Sequence, residues 1–253
     1  MPMNKEEAEK IYLQLAEERD DEWSMIKLAY IEMDRRNSEE RLKWIQKALE
    51  KEYIDAYFEL GFFYQFDEAY KDLEKAQQSY YQAAQLGNPD GMNGLALIYY
   101  NMPDYKGDEQ AFRWFSKSAD LGDSFGLYYL AVMYENGFGT NIDKQKAWDL
   151  YLASADQKFS PAYRKIAQLI EEGEAPASFT GRELEYYIKA AERNDIDAIH
   201  DVIRFLENDP DRQKKLFSWC QRGAQLNNGK CICKLGKLYF YDMGTEMDEF
   251  KAM

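Results

Sequence analysis

Histidine and cysteine, the residues that most often carry metal and nucleophile chemistry, are nearly missing from this chain of 253 residues. It has one histidine, His200, and three cysteines, Cys220, Cys231 and Cys233. Three clustered cysteines cannot build a disulfide framework, and their spacing with His200 matches no closed zinc site. No nucleophile motif accompanies His200. We therefore expect no metal, no cofactor and no enzymatic activity. The alternative is an enzyme or metal-dependent protein that uses His200 and the cysteines.

Long apolar runs and positive charge are also scarce. No stretch reaches the ~18 apolar residues that a membrane span needs. The N-terminal stretch "MPMNKEEAEKIYLQLAEERDDEW" has no apolar core of signal-peptide length. With 32 lysines and arginines against 46 aspartates and glutamates, the net charge is −14. So acidic a surface disfavours nucleic acid and anionic membranes as partners and permits a basic, partly apolar protein or peptide. Solubility alone is the alternative explanation of the charge.

Cysteines are few, and the N-terminal stretch has no apolar core of signal-peptide length. Both features favour a reducing compartment, so we expect a cytoplasmic protein. Only six prolines interrupt the chain, whereas Ala, Leu, Glu, Lys, Gln and Met are abundant. These are strong helix formers, and helix is therefore the default expectation for most segments.

Small and aromatic residues return about every 35 positions. The first places of six successive units are Arg41, Ala76, Ala111, Ala147, Glu183 and Leu216, spaced by 35, 35, 36, 36 and 33 residues. A large residue follows at the fourth or fifth place, small residues stand at the eighth, ninth and sixteenth places, and aliphatic residues stand at the twentieth. A fixed period of this length indicates a repeat architecture.

The offsets within each unit are helical. Places one, four or five, and eight share one stripe of a first helix, and places sixteen, twenty and twenty-four share one stripe of a second. The break between them, "LGNPDG" or "LGDSFG", supplies glycine where a helix ends. Each unit is therefore predicted to be a helical hairpin, with small residues where two backbones approach. Ala119 and Ala155 are expected to be buried there.

The loops between units carry a further pattern. "YENGFGTNIDKQKA" places Gly137 and Gly139 in a turn and Asp143 at the start of the next helix, and "YKDLEKA" repeats this with Asp72. On these residues and on the repeated small and aromatic places, the chain resembles the Sel-one-like repeat family, a variant of the tetratricopeptide helical repeats with a longer loop. The resemblance covers residues 38–241 and is strongest over 72–173.

The resemblance implies an all-α fold, a right-handed α-solenoid of about six stacked helical hairpins. We expect a single helical-repeat domain over residues 1–253. Residues 1–37 would form a degenerate N-terminal capping unit, residues 38–241 the repeats, and residues 242–253 a C-terminal cap or a disordered tail.

The resemblance also implies that the second helix of each hairpin lines a concave binding face. Residues two places after the sixteenth and the twentieth point away from the packing stripe and are expected to contact a partner. Two neighbouring aromatic residues, Tyr100 and Phe125, are added to this set. The expected partner-binding residues are then Phe58, Phe62, Asn93, Leu97, Tyr100, Phe125, Tyr128, Val132, Arg164, Gln168, His200, Arg204 and Lys237. The first three units present mainly apolar groups and the last three cationic ones. The alternative is that a strongly curved solenoid closes this face and makes these residues core.

Together these features predict a non-enzymatic module that binds a partner protein. The family resemblance allows two forms of that function. One is an immunity-type inhibitor of a toxin, which the acidic charge favours because toxins that attack nucleic acids are themselves basic. The other is a generic adaptor or scaffold in signalling or stress response.

Overall fold

The computed structural model describes residues 5–102, 105–207 and 212–240, and within them it contains fourteen α-helices and no strand. The chain forms two compact units, Met1–Ile142 and Asp143–Met253. The single repeat domain over residues 1–253 that the sequence suggests stays a prediction, because the division into two compact units does not test it. The predicted C-terminal segment 242–253 lies outside the described residues.

The first unit consists of eight helices. They are α1 (Lys5–Glu18), α2 (Glu22–Asp34), α3 (Ser38–Glu50), α4 (Ile54–Phe66), α5 (Leu73–Gln85), α6 (Pro89–Tyr100), α7 (Tyr105–Asp120) and α8 (Ser124–Asn136). Three of the predicted hairpins are α3–α4, α5–α6 and α7–α8. The predicted capping unit is the hairpin α1–α2, and α2 packs on α3 through a core that includes Met25, Trp44 and Ile45.

The second unit contains the other three predicted hairpins. Its helices are α9 (Lys144–Asp156), α10 (Ser160–Glu171), α11 (Glu183–Ala191), α12 (Ile196–Leu206), α13 (Gln213–Gln225) and α14 (Gly229–Phe240), with a short 3-10 turn at Ala177–Phe179. In both units each helix packs against the next one along the chain. This all-α hairpin organisation is the one that the repeat period predicts.

The turn inside each hairpin has the same backbone conformation in all six repeats. A residue two or three positions beyond the end of the first helix adopts the left-handed region, with φ between 57° and 85°. These residues are Glu52, Gly87, Gly122, Lys158, Asn194 and Asn227. The following N–H then closes the helix end, as when Asn88 donates to the Ala83 carbonyl at 3.0 Å. The sequence predicted this turn only where glycine marks it, because glycine alone adopts positive φ without strain.

The helix starts also follow the sequence pattern. Asp72 and Asp143 are the N-caps of α5 and α9, and each carboxylate accepts the N–H three residues later, that of Lys75 at 3.1 Å and that of Lys146 at 2.9 Å. These bonds satisfy N–H groups that a helix leaves without partners in its first turn.

The small residues lie where the two helices of a hairpin approach each other. A Cβ built on Gly91 of α6 would overlap the Ala83 side chain of α5, and one on Gly126 of α8 would overlap Ser118 of α7. Ala119 and Ala155 are 8% and 2% exposed, which confirms their predicted burial. Close backbone approach, rather than helix propensity, therefore explains why these places hold Gly, Ala or Ser.

Successive hairpins pack through a buried tyrosine. Tyr80 of α5 is 1% exposed and its ring fits between two glycines, Gly61 of α4 and Gly94 of α6. A Cβ on either glycine would lie less than 3 Å from the ring. The Tyr80 hydroxyl donates to Gln65 Oε1 at 2.7 Å, so the one polar atom of this core ring is satisfied. Tyr151 and Tyr187 are equally buried at the equivalent places of the second unit.

Candidate partner-binding surface

The second helices of the first unit carry a row of apolar side chains that are only half-buried. We call this row the aromatic face, and its members are Phe58, Phe62, Phe66, Leu97, Tyr100, Phe125, Tyr128, Tyr129 and Val132. They lie at similar places of α4, α6 and α8, and α6 contacts both α4 and α8. All are half-buried except Phe66, which is 58% exposed. Seven of the nine are residues that the sequence predicted.

On α4 the aromatic face is a ladder of three phenylalanines spaced by one helical turn. The Phe58 and Phe62 ring centres are 6.4 Å apart, and those of Phe62 and Phe66 are 4.7 Å apart. The Phe58 ring also lies 5.7 Å from the ring of Tyr80. One end of the ladder therefore rests on the buried core, and the other end reaches solvent.

On α6 and α8 the aromatic face centres on Tyr129, which the sequence analysis missed. Its ring lies 4.5 Å from that of Phe125, 5.0 Å from that of Phe115 and 6.1 Å from that of Tyr100. Burial raises the pKa of the Tyr129 hydroxyl and that of Tyr100. The available signal was spacing, because Tyr129 follows Phe125 by four residues and so shares its side of the helix.

One predicted contact residue is wrong. Asn93 is 5% exposed, and its amide donates to Asp123 Oδ1 at 2.7 Å. Asp123 is the N-cap of α8, where it also accepts the Gly126 N–H at 2.7 Å. Asn93 therefore joins one hairpin to the next and is not available to a partner. The prediction failed because this place on α6 faces the first turn of the next second helix.

In the second unit two predicted cationic contact residues, Arg164 and Arg204, form similar bonds between neighbouring hairpins. Arg164 of α10 pairs with Asp197 at 2.9 Å and with Asp201 at 3.2 Å, both on α12. Arg204 of α12 donates two bonds to the Glu171 carboxylate of α10, at 2.7 and 2.9 Å. These bonds hold the Glu171 pKa below and the Arg204 pKa above their usual values. Both arginines therefore serve to link α10 with α12.

His200 also bonds to the neighbouring hairpin. Its Nε2 lies 3.0 Å from Oδ1 of Asn228, the residue before α14, which also accepts the Cys231 N–H at 3.1 Å. Of the remaining predicted residues in this unit, Gln168 is half-buried and Lys237 is exposed. The second unit thus keeps few of its predicted contact groups free for a partner, because most of them bond to the neighbouring hairpin.

Of the three cysteines that the enzyme alternative would use, only Cys233 is exposed. Cys220 and Cys231 are buried, and burial raises the pKa of the Cys220 thiol to about 12, so it is not a thiolate nucleophile at neutral pH. Across residues 5–102, 105–207 and 212–240, no group of three or more His, Cys, Asp or Glu side chains is placed to hold a metal ion. None of the helices in that same part of the chain combines the length and the apolar character that crossing a membrane requires.

Comparison with known proteins agrees with the repeat pattern. A family model described as the Sel1 repeat matches residues 54–88, 89–123, 124–159 and 184–195. Each full match begins with the second helix of one hairpin and ends after the first helix of the next. No curated protein matches the chain.

Solved structures share the fold at low sequence identity. A Sel1 repeat protein from Oxalobacter formigenes is 20% identical, with a TM-score of 0.71 over 96% of this chain and 74% of that one. A protective antigen of uropathogenic Escherichia coli strains, displaying an SLR fold, is 22% identical, with a TM-score of 0.60 over 97% of this chain. This chain spans only 62% of that antigen's length.

A more distant structure is a signal transduction ATPase with a tetratricopeptide repeat sensor from Pyrococcus horikoshii. It is 15% identical, with a TM-score of 0.50 over 98% of this chain and 42% of that one. The hairpin period, the closely packed small residues, the family matches and these structures agree. The chain contains Sel1 repeats, at residues 54–159 and 184–195, and shares the fold of Sel1-repeat proteins.

Proposed function

We propose that this chain binds a segment of a partner protein through the aromatic face of its first unit. Sel1-repeat proteins are generally protein-interaction modules. The observation that supports this site is the α4 ladder, which runs from Phe58 on the buried core to Phe66, 58% exposed. A contiguous apolar patch that solvent can reach is typical of an interaction surface.

The chemistry of the patch favours a protein partner. Aromatic side chains bury much area for little lost conformational freedom, and they dominate the energies of protein interfaces. The rings of Phe62 and Tyr129 are held by neighbouring rings, so a partner meets a surface that is largely in place before binding. Such preorganisation lowers the entropic cost of association.

The proposal predicts a loss of binding without a loss of fold. The double replacement Phe62→Ser and Tyr128→Ser should weaken the complex with the cellular partner at least ~10-fold, because truncating interface aromatics removes hot-spot contacts. Phe58 is left unchanged because its ring contacts the buried Tyr80. Affinity is measured with the purified partner after its isolation from the source cell.

The matched control is Tyr81→Ser with Leu86→Ser, two apolar side chains that are 46% and 50% exposed and lie outside the aromatic face. The control should bind normally. Equal loss of affinity in both double variants would contradict the proposed site. Unfolding of the Phe62 and Tyr128 variant would show that this face is core, which is the alternative left open by the sequence.

We further propose that the partner is basic overall and contributes an apolar segment. The net charge of −14 attracts such a partner over a distance that salt limits to about 8 Å at physiological ionic strength. The association rate should therefore fall steeply between low and high salt, while the dissociation rate changes less because apolar contacts hold the bound state. Stopped-flow mixing measures both rates. A flat association rate would leave the charge as a solubility feature.

Of the two forms of this function we favour a scaffold in a reducing, cytoplasmic compartment. The toxin-inhibitor hypothesis rests on the net charge alone. A purified partner that is an enzyme and loses its activity in the complex would establish the inhibitor, and a partner unaffected by binding would support the scaffold.

A further inference from the structure

Arg41 is a buried cation without a counter-charge in contact. It is 4% exposed, and within the described residues its guanidinium forms no ion pair and no side-chain hydrogen bond. Its Nη2 atom is buried and lacks a partner. The guanidinium carbon lies 5.7 Å from the centre of the Phe62 ring and 5.3 Å from that of Phe63. Two aromatic rings therefore lie against the guanidinium, while the carboxylates of Glu59 and Asp67 attract it from beyond ion-pair distance.

Packing does not explain an arginine at this place. The equivalent residues of the next three repeats are alanines, Ala76, Ala111 and Ala147, and each is fully or almost fully buried. Burying an unpaired charge is costly, and burial lowers the pKa of Arg41. The buried carboxyl of Glu59 accepts the Tyr30 hydroxyl, and burial raises its pKa. It attracts Arg41 through space, as the Asp67 carboxylate does, without an ion-pair contact among the described residues. A group that costs stability and sits in a cleft indicates a binding role.

Arg41 lines a cleft of about 650 Å³ and is the least exposed of its charged residues. The cleft lies between the start of α3 and the end of α4, and its apolar wall is formed by Phe62, Phe66 and Met33. Phe66 is 58% and Met33 38% exposed, so a ligand can reach this wall. The cleft continues the aromatic face, because Phe62 and Phe66 belong to both.

The acidic residues that line the cleft are largely occupied. Glu32 pairs with Arg35 at 2.8 Å, and Asp67 accepts the Ser38 hydroxyl at 2.6 Å and the Ala69 N–H at 3.1 Å. Glu68 is exposed and Arg36 adds a second cation to the lining. An anionic group that enters therefore meets the buried Arg41 guanidinium, whose Nη2 lacks a partner, and shares it with the Asp67 carboxylate, which attracts it through space.

We propose that this cleft receives a glutamate side chain of the partner, with its carboxylate on Arg41 and a neighbouring apolar side chain on Phe62 and Phe66. A guanidinium presents donors in the geometry that a carboxylate accepts. A glutamate carboxylate stands on a flexible stem, so it can reach a guanidinium that is 4% exposed without bringing backbone into the cleft. A terminal carboxylate is attached to the backbone directly and lacks this reach. The inference rests on the proposed function, because Phe62 serves both.

The test uses the full chain and a panel of labelled, N-acetylated and C-amidated peptides. Each peptide carries one glutamate and one phenylalanine, separated by zero to three residues, and each has a glutamine counterpart. Fluorescence anisotropy measures affinity for the natural protein, for Arg41→Met and for the control Arg113→Met, an exposed arginine of α7 outside the cleft. The natural protein and the control should bind the best glutamate peptide at least tenfold more tightly than its glutamine counterpart, a difference of about 1.4 kcal/mol. In Arg41→Met the ratio should fall to about one.

Thermal melting separates this role from a structural one. Because the guanidinium is buried without a partner, Arg41→Met should melt at the same temperature as the natural protein or higher. A lower melting temperature for Arg41→Met, with binding lost, would mean that Arg41 stabilises the fold, and would overturn the inference.

Three binding outcomes would also overturn the inference. They are no binding of any glutamate peptide at millimolar concentration, equal binding of glutamate and glutamine peptides, and an unchanged ratio in Arg41→Met. A fourth set of peptides carries glutamine and a free C-terminal carboxylate. If the protein prefers this set, the group that binds Arg41 is a chain terminus and not a glutamate side chain. Equal binding of both peptides that is lost in Phe62→Ser would sink only the Arg41 inference and leave the proposed aromatic face intact.

Discussion

Gly91→Val should unfold the centre of the first unit. A Cβ at this position already meets the Ala83 side chain, the Ala84 nitrogen at 3.0 Å and the Ala83 carbonyl carbon at 3.1 Å. Two of these three contacts are backbone atoms of α5, which cannot turn away as a flexible side chain could. A branched side chain therefore forces α5 and α6 apart, and we expect a loss of about 3 kcal/mol or more. Denaturant unfolding followed by circular dichroism measures it.

The matched control for this substitution is another helical glycine. Gly229 lies at the start of α14, and nothing stands within 4 Å of a Cβ built on it. Gly229→Val should change the free energy of unfolding by less than about 1 kcal/mol, since only helix propensity is affected. Similar unfolding midpoints for both variants would contradict the close approach of α5 and α6.

Tyr80→Ala should destabilise the first unit by about 3–5 kcal/mol, the range for truncating a buried aromatic ring. The ring is 1% exposed and fills the space that Gly61 and Gly94 leave between two hairpins. Two glycines have no side chains to close the cavity, so the surrounding structure can relax only slightly. The loss of the bond to Gln65 leaves that amide oxygen without its donor and adds to the cost.

The adjacent tyrosine provides the comparison for this prediction. Tyr81 is 46% exposed, and Tyr81→Ala should cost less than about 1 kcal/mol because its ring packs mainly at the surface. If the two alanine variants unfolded at the same denaturant concentration, Tyr80 could not be the residue that joins successive hairpins.

Much of the fold could be predicted because it repeats. A period of about 35 residues places Gly91 and Gly126 at the same point of successive hairpins, and both meet the preceding helix there. Asp72 and Asp143 could be predicted as N-caps because capping is local and depends on a residue and the three that follow. Features that each hairpin determines by itself are therefore visible in one sequence.

Contacts between two hairpins were harder to predict from the sequence. The expected binding face included Asn93 and Arg164, yet both bond to the next second helix, at Asp123 and Asp197. A helical stripe shows only that a side chain leaves the packing seam of its own hairpin, and the lateral neighbour decides whether it reaches solvent. The Lys158 turn was missed for another reason, because a lysine rarely adopts positive φ. Here it closes the helix end, with the Lys158 N–H donating to the Ala155 carbonyl at 2.7 Å.

The Arg41 cleft shows the opposite case, in which the sequence held a signal that only the structure could interpret. Arginine stands where the next repeats have alanine, and this departure from the pattern is visible without coordinates. Its meaning depends on the buried, unpaired Nη2 and on the open wall of Phe66 and Met33. Departures from a repeat consensus at buried places are therefore the positions to inspect for function.

Site-specific photo-crosslinking tests the central claim, that the aromatic face holds the partner, most directly. Phe62 and, in a second protein, Tyr81 are replaced by the photoreactive amino acid p-benzoyl-L-phenylalanine, which keeps an aromatic ring at each place. After irradiation in the source cell, covalent complexes are resolved by mass and identified. We expect a discrete crosslinked partner from position 62 and none from position 81. A partner captured at position 81 and absent at position 62 would place binding on another surface and contradict the account.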